Sequence, residues 1–472
     1  MSGRRHPGPR TPQQPSAPEQ PSAPEQPSAP ETQSASGAHS TPAAPARRTL
    51  LLTAATALTT GALATACGTA EGRPPGEVAV LGDSAAWEKP MAAAGMAMKT
   101  VGGPRMVPEV NPSLESFEQV VKSSLRTDRT PDMLKYWSGY RLRDLARTGG
   151  IEELTRQWDR AVAKGWVDAS LREAFTYRRR VYGLPMNLAY WVFFYNPEVF
   201  REHRLKAPET WDDFLAACAR LKRSGVTPLH GTADGRWPSF IWFQEILSRQ
   251  DPAFYDDLMN GRERYTDPRA DRALRTLQSF FDKDWFTPMD MNHPDAAAAM
   301  LHGEVGMVPC GTWLGSTLAA AGGKPGKNLG AFVLPMADPM ADPKARPCVI
   351  FEASALVATV KGPDRTEALQ ATRTWLHPTV MKAFSHALQD GCPNPRVAAP
   401  NPVIGSLAQK VRGDKLWLLN RFWEQGPPEL VEATVDDLAG FLLNPSSARE
   451  TLRTMQGRAD EAWRVWREAE RT

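Results

Sequence analysis

The stretch 181–225, VYGLPMNLAYWVFFYNPEVFREHRLKAPETWDDFLAACARLKRSG, predicts a buried strand, a turn and a capped helix. Its run 191–195 is aromatic and β-branched without clear alternation of polar residues. That pattern is typical of a strand that is covered on both faces, and Asn196-Pro197 ends it. The sequence therefore predicts the interior of an α/β sheet at this position.

The second half of the same stretch predicts a helix that begins near Trp211. Thr210 and Asp213 have capping-box spacing, in which a hydroxyl caps an early helical N–H and a carboxylate caps the N–H before the helix. Gly225 supplies a left-handed stop. One stripe at helical spacing is apolar, so we expect the helix to pack on the sheet through it. The stripe consists of Trp211, Phe214, Leu215, Cys218 and Leu221.

Several short motifs follow one another in an order that resembles a known family. They are GLP at 183–185, YNP at 195–197 and PETWDDF at 208–214, followed by GEVGMVPCGTW at 303–313. The series is similar to the signature of extracellular solute-binding proteins of the carbohydrate type (family 1), the capture subunits of ABC importers. The resemblance implies an α/β, two-lobe, periplasmic-binding-protein-like fold with a hinge and an interlobe ligand cleft.

The resemblance also implies how the chain divides between the lobes. A chain of 472 residues can bury two cores, in lobes of ~150 to 200 residues. The apolar strand predicted at 351–358 would return the chain to the first lobe, and DGCPNP at 390–395 resembles a second recrossing loop. The expected segments are a linker at 68–76, a first lobe at 77–186 and 353–390, and a second lobe at 187–352 and 391–472.

The amino-terminal segment predicts an extension followed by an export signal. Residues 1–46 are rich in Pro, Ser and Gln, and PSAPEQ begins at Pro15 and again at Pro21. Such a segment buries no core and is expected to be disordered, unless translation starts later. Residues 47–67 begin with two arginines and continue as an apolar run, which predicts export by the twin-arginine or the general secretory route.

Cys67 ends this signal in a context that resembles a bacterial lipobox. The residues before it are small, with Ala64 at the position that usually holds Leu. A diacylglycerol on this thiol would hold the protein at the cell membrane, facing the extracellular side. The alternative is a small-residue peptidase site with an incidental cysteine.

Composition and motifs indicate binding rather than catalysis. The net charge of +3 is small, and no basic block with interleaved aromatic residues occurs, so we expect no nucleic-acid partner. There is no nucleophile elbow, P-loop, His-Glu-x-x-His or dinucleotide-binding turn. The cysteines beyond Cys67 match no zinc spacing; Cys310, Cys348 and Cys392 fit one disulfide or buried free thiols equally well. We expect no cofactor and no metal.

Candidate ligand-binding residues lie at strand ends and in aromatic loops, where the crevice of an open α/β sheet is found. Trp313, for example, follows a strand and a glycine that permits close backbone approach. Glu352 stands where members of the resembling family usually have small residues. For the aromatic residues, packing within a lobe is the alternative. The full predicted set is Asp83, Trp87, Tyr136, Trp137, Asn187, Tyr190, Trp191, Trp237, Trp313 and Glu352.

These residues favour capture of a sugar or oligosaccharide. Tyr and Trp present a flat apolar face and a polar edge, which suit the C–H face and the hydroxyls of a sugar. The resemblance implies delivery of the carbohydrate to ABC transporter permease subunits. The alternative is an exported glycoside hydrolase, which needs two opposed carboxylates at strand ends, and Asp83 with Glu352 is the pair in that position.

Overall fold

Two α/β lobes, each built on its own sheet, form the part of the chain that the computed structural model describes, residues 73–471 except 112, 126, 128 and 338–345. The predicted extension, the export signal and Cys67 lie outside the described residues. The strands are β1 Glu77–Gly82, β2 Arg105–Val110, β3 Met133–Tyr136, β4 Thr176–Tyr177, β5 Arg180–Val181, β6 Leu184–Pro185, β7 Ala189–Tyr195, β8 Thr227–Leu229, β9 Val305–Gly311, β10 Gly330–Phe332, β11 Cys348–Glu352, β12 Ala355–Ala358 and β13 Trp417–Asn420. The helices are α1 Glu88–Thr100, α2 Leu114–Ser124, α3 Gly139–Arg147, α4 Thr155–Ala163, α5 Pro197–Glu202, α6 Trp211–Arg223, α7 Phe240–Gln250, α8 Pro252–Met259, α9 Pro268–Asp282, α10 His293–His302, α11 Gly315–Ala320, α12 Arg365–Thr374, α13 Pro378–Leu388, α14 Pro402–Gly413, α15 Pro428–Leu443 and α16 Ala448–Arg471.

The first-lobe sheet has the strand order β2-β1-β3-β12-β6. β1 pairs in parallel with β2 and β3, while β12 runs antiparallel to β3 and β6. Helix α1 packs against β2, and α12 packs against β1 and β12. β1 lies between two neighbouring strands, β2 and β3, and is buried at every position after its first residue.

The second-lobe sheet has the order β13-β11-β7-β9-β8, and β10 also pairs with β7. β7 contains the aromatic run of the sequence and is buried except at Tyr195. It pairs with β11 through its first residues and with β9 through the rest. The prediction of a buried strand inside an α/β sheet is confirmed.

Helix α6 also agrees with its prediction. Thr210 Oγ1 accepts from the Asp213 N–H at 3.1 Å, and the Asp213 carboxylate accepts from the Thr210 N–H at 3.0 Å. This reciprocal pair is the predicted capping box. Helix α2 begins at Leu114, and the Ser113 side chain caps it by accepting a hydrogen bond from the Ser116 N–H.

Within the described residues, the chain passes between the two sheets at three crossings, residues 186–188, 353–354 and 390–392. The single strand predicted at 351–358 is two strands, since β11 belongs to the second sheet and β12 to the first. The Met186 N–H donates to the Ser354 carbonyl at 2.8 Å, and the Leu188 N–H donates to the Gly391 carbonyl at 2.9 Å. Each strand of the two large sheets lies in the lobe to which the predicted limits assign it. The exact limits of the lobes stay a prediction.

The Asn187 side chain connects all three crossings. Its Nδ2 donates to Asp390 Oδ2 at 2.8 Å, and its Oδ1 accepts from the Ser354 N–H at 3.0 Å. Thr312 Oγ1 donates to the other oxygen of Asp390 at 2.5 Å. Burial raises the pKa of Asp390, while the hydrogen bonds from Asn187 and Thr312 lower it. A buried polar network satisfied in this way favours one arrangement of the crossings.

Asn187→Ala should lower the free energy of unfolding by about 2 to 3 kcal/mol, because it removes two hydrogen bonds and leaves buried partners unsatisfied. Urea denaturation monitored by circular dichroism measures the change. Asn401→Ala is the matched control: its side chain caps α14 in a partly buried position, so the expected cost is about 1 kcal/mol. Equal losses in the two variants would contradict the special role of Asn187.

Candidate functional site

A cavity of about 260 Å³ lies between the two sheets and is lined from both lobes. Three of its charged lining residues stand at carboxyl ends of strands: Asp83 follows β1, Glu352 ends β11 and Arg421 follows β13. Such strand ends form the ligand crevice in open α/β sheets. The first lobe contributes Asp83, Ser84, Ala86, Trp87, Leu114, Lys135, Trp137 and Leu388, and the second contributes Trp237, Trp313, Glu352, Arg421 and Trp423.

Five tryptophans line the cavity, and two of them form a pair in the second lobe. The ring centroids of Trp237 and Trp313 lie 6.0 Å apart with an interplanar angle of 54°. His293 stacks on the Trp237 ring at 5.3 Å. Gly311 permits the Trp313 indole to fold back over the end of β9, because a Cβ there would lie 2.3 Å from Trp313 Nε1. This Nε1 is buried and has no hydrogen-bond partner among the described residues.

An ion pair supplies the charge of the first-lobe wall. Lys135 Nζ lies 2.6 Å from Asp83 Oδ2. The same ammonium group lies 4.9 Å from the Trp87 ring centroid and 5.0 Å from that of Trp137. Asp83 Oδ1 is buried and lacks a partner within the described part of the chain. It is therefore an acceptor that a ligand in the cavity can use.

Arg421 organises the charge of the second-lobe wall. It forms an ion pair with Glu352 at 2.5 Å, and its Nε donates to Glu424 at 2.8 Å. Trp191 Nε1 donates to Glu352 at 3.1 Å. Burial raises the pKa of Glu352 to about 7, against the lowering effect of the Arg421 charge. One guanidinium thus balances two buried carboxylates, which cannot remain ionised there without a cation.

The structure brings six of the predicted ligand-binding residues together in the cavity lining: Asp83, Trp87, Trp137, Trp237, Trp313 and Glu352. The other four lie outside that lining and support it. Tyr136 packs on Trp137 with ring centroids 5.0 Å apart, and Asn187 joins the crossings. The Tyr190 N–H donates to Thr312 Oγ1 at 3.1 Å, while Trp191 holds Glu352. Direct contact of the ten residues with a ligand stays a prediction.

Sequence reasoning missed four polar or aromatic lining residues, Ser84, Lys135, Arg421 and Trp423. Lys135 is a charged residue within the short, fully buried strand β3, and that isolated position was its signal. Arg421 and Trp423 belong to the segment RFWE that follows β13, where charge and aromatic residues are adjacent. Neither Arg421 nor Trp423 lies in one of the motifs that carry the family resemblance.

Other candidate chemistry is limited in the described part of the chain. No group of three or more His, Cys, Asp and Glu side chains there is arranged to hold a metal ion. No helix among the same residues combines the length and apolar character needed to cross a bilayer. Cys218, Cys310, Cys348 and Cys392 are free thiols. Burial raises the pKa of Cys348 and of Cys392 to about 11, so both thiols are protonated at neutral pH.

A family model matches most of the described chain. The model of the bacterial extracellular solute-binding protein family covers residues 69–372. The chain therefore belongs to this family, and the resemblance noted in its sequence is confirmed. Membership of a family of extracellular binding proteins indicates an exported protein.

Two curated relatives share part of the sequence. A probable sugar-binding periplasmic protein of Brucella suis is 26% identical over 205 residues, which cover 40% of this chain and 46% of the relative. The osmoprotective compounds-binding protein GgtB of Synechocystis sp. is 26% identical over 176 residues, covering 34% of this chain and 40% of the relative. The matched region thus spans less than half the length of either relative.

Solved structures share the fold over most of the chain. The bacterial solute receptor AcbH superposes with a TM-score of 0.72 at 19% identity, covering 82% of this chain and 99% of AcbH. A chitin oligosaccharide binding protein gives 0.68 at 18% identity, covering 82% and 98%. RafE in complex with raffinose gives 0.66 at 15% identity, covering 82% and 99%. These matches confirm the predicted two-lobe fold.

Arg421→Met should lower the free energy of unfolding by about 3 to 5 kcal/mol, because Glu352 and Glu424 would stay buried without their cation. The loss should shrink as the pH falls towards about 7, the pKa of Glu352 in the parent, because without Arg421 this carboxyl takes up its proton at a higher pH than in the parent. Chemical denaturation at a series of pH values measures both effects.

The matched control for that experiment is Arg464→Met. Arg464 makes its ion pairs with Glu461 and Glu468 on the exposed face of α16, where solvent screens the charges, so the free energy of unfolding should stay close to that of the parent. A loss in Arg421→Met that stays constant over the whole pH series would contradict the assigned role of the buried carboxylates.

Proposed function

We propose that this protein captures a sugar or oligosaccharide between its lobes and passes it to the permease subunits of an ABC importer. The observation that carries the proposal is the cavity lining: tryptophan faces surround an acceptor, Asp83 Oδ1, and a donor, Trp313 Nε1, that have no hydrogen-bond partner among the described residues. Sugar rings stack on aromatic faces, and a hydroxyl both donates and accepts. The names of the relatives and of the matching structures, several of which refer to sugars, support the same ligand class.

The charges of the cavity favour a neutral ligand that is bound and released unchanged. A glycoside hydrolase needs a free acid and a free base or nucleophile on opposite sides of the bond. Here Asp83 is paired with Lys135, and Glu352 is paired with Arg421. Both carboxylates are thus committed to cations of their own lobe, which supports capture over hydrolysis.

Trp313→Ala should weaken sugar binding about thirty- to a thousandfold, because it removes a stacking wall and a buried donor, a loss of roughly 2 to 4 kcal/mol. A thermal-shift panel of galactose, raffinose and chitin oligosaccharides first identifies a sugar that binds the parent. Isothermal titration calorimetry with that sugar then gives the dissociation constant, and the ligand-free melting temperature is measured on the same preparation.

Trp417→Ala is the control for this change, since Trp417 is a half-buried residue of β13 outside the cavity lining, and its dissociation constant should equal that of the parent. A large drop in melting temperature with unchanged affinity would place Trp313 in the core instead of the site. Chromatography of the sugar after incubation should show it intact, and turnover by the parent would refute capture.

The predicted amino-terminal signal supports a proposal about where the protein acts. We further propose that Cys67 carries a lipid that anchors the protein to the cell membrane on the extracellular side. The supporting observations are the small residues before Cys67 in the sequence and membership of an extracellular binding-protein family.

Cys67→Ser should move the protein from the membrane fraction to the soluble fraction, because no thiol remains to receive the diacylglycerol. Fractionation with immunoblotting measures the change, and mass spectrometry of the parent should show a lipidated Cys67 at the mature amino terminus. Cys392→Ser, which alters a free thiol of the folded chain, should stay in the membrane fraction. An unmodified Cys67 in the native protein would end the lipoprotein proposal.

A further inference from the structure

Arg141 is a buried cation of α3 whose side chain bonds to both lobes. Only 3% of the residue is exposed. Its Nη1 donates to Glu118 Oε1 at 3.0 Å, within the first lobe. Its Nε donates to the Trp423 carbonyl oxygen at 3.1 Å, and its Nη2 donates to Glu432; both of these partners follow the second-lobe sheet. One guanidinium therefore spans the boundary between the lobes.

The two carboxylates held by Arg141 are like charges on facing elements, Glu118 on α2 and Glu432 on α15. Burial raises the pKa of Glu118; the Arg141 charge lowers it, and the Glu432 charge raises it. Without the guanidinium, these carboxylates would repel each other across the boundary, in a partly buried place where water screens charge weakly. The two carboxylates can therefore stay close together only while the Arg141 guanidinium lies between them.

The residues just before Arg141 also touch the second lobe. Gly139 has a φ of +64°, and a Cβ there would lie 2.3 Å from the Glu424 carbonyl oxygen, so the two backbones approach closely. Tyr140 Oη donates to Asn260 Oδ1 at 3.0 Å, and its ring packs on Trp463 with centroids 5.4 Å apart. Three consecutive residues, 139–141, therefore form one joint between the lobes.

This joint is continuous with the ligand cavity. The Arg141 guanidinium carbon lies 5.0 Å from the Trp137 ring centroid and 4.1 Å from that of Trp423. Trp137 lines the cavity from the first lobe and Trp423 lines it from the second. A cation between two aromatic rings attracts both of them. The position of Arg141 therefore couples lobe closure to the spacing of two cavity walls.

We propose that Arg141 is a clasp that holds the lobes closed over a captured ligand and so sets how long the ligand stays bound. It is a positioning residue, acting through Trp137, Trp423 and the two carboxylates. This inference rests on the proposed function, because only a ligand held between the lobes is retained by their closure. Opening breaks the bonds to Trp423 and Glu432 and keeps the bond to Glu118. The clasp therefore acts on dissociation rather than on encounter.

The test measures association and dissociation rates by stopped-flow tryptophan fluorescence, using the panel sugar that the parent binds. Arg141→Met should raise the dissociation rate about tenfold or more, because hydrogen bonds to charged groups are lost. The association rate should change by less than about threefold. Arg172→Met is the matched control: it removes an arginine that pairs with Asp159 inside the first lobe, so both rates should equal those of the parent.

A second substitution separates a clasp from a general structural role. Glu432→Gln in the Arg141→Met background removes the repulsion from Glu118, so the dissociation rate should fall part of the way back to that of the parent. If Arg141 had only a structural role, the second substitution would leave the raised dissociation rate unchanged. Arg141→Lys keeps the charge but loses the forked bonds, so its dissociation rate should be intermediate. This variant also carries the test if Arg141→Met does not fold.

An independent readout is the distance between spin labels at Lys99 of the first lobe and Glu209 of the second, measured by double electron–electron resonance on ligand-free and sugar-saturated protein. Arg141→Met should shift both distributions toward longer distances. Unchanged dissociation, or no relief by Glu432→Gln, overturns the clasp. If no panel sugar binds the parent, the proposed function fails, and the ligand-free distances alone decide on the clasp: an unchanged distribution overturns it.

Discussion

The carboxylate of Asp390 is fully buried, and the joint between the lobes is arranged around its need for donors. It receives hydrogen bonds from the Asn187 amide, the Thr312 hydroxyl and the Gly391 N–H. Asn187 extends this network to the crossing at Ser354, and Thr312 directly precedes Trp313. The segments that permit movement between the lobes and the strand end that carries a cavity wall therefore depend on one buried group.

Each lobe neutralises its own share of the cavity charge. Asp83 pairs with Lys135 in the first lobe, and Arg421 pairs with Glu352 and Glu424 in the second. Separation of the lobes therefore leaves these ion pairs intact, and a neutral polyhydroxyl ligand can enter without replacing a charge partner. Arg141 is arranged differently, since its bonds cross the boundary. The ion pairs inside the cavity thus leave no net charge that favours a charged ligand, whereas the bonds of Arg141 beside the cavity join the two lobes.

The parts of the fold that the sequence predicted are local. The run that forms β7 and the capping box of α6 depend on residues within a few positions of one another. Six candidate site residues line the cavity, and they were predicted from their positions at strand ends and in the loops that follow strands. Lys135, Arg421 and Trp423 were missed, since their place in the cavity depends on how β3 and β13 sit in sheets assembled from distant segments.

The sequence by itself determined the family, the α/β class, the buried strand β7 and the helix that packs beside it, because spacing and periodicity act within one segment. Only the tertiary structure decided that Asn187 bonds to Asp390, 203 positions away, and that Arg141 meets Glu432 across 291 positions. Such pairs form where long-range packing removes polar groups from water and obliges each to find a partner. The hinge network around Asp390 and the clasp at Arg141 both result from this need for partners. A local sequence pattern does not predict either of them, because the partners are distant in the chain.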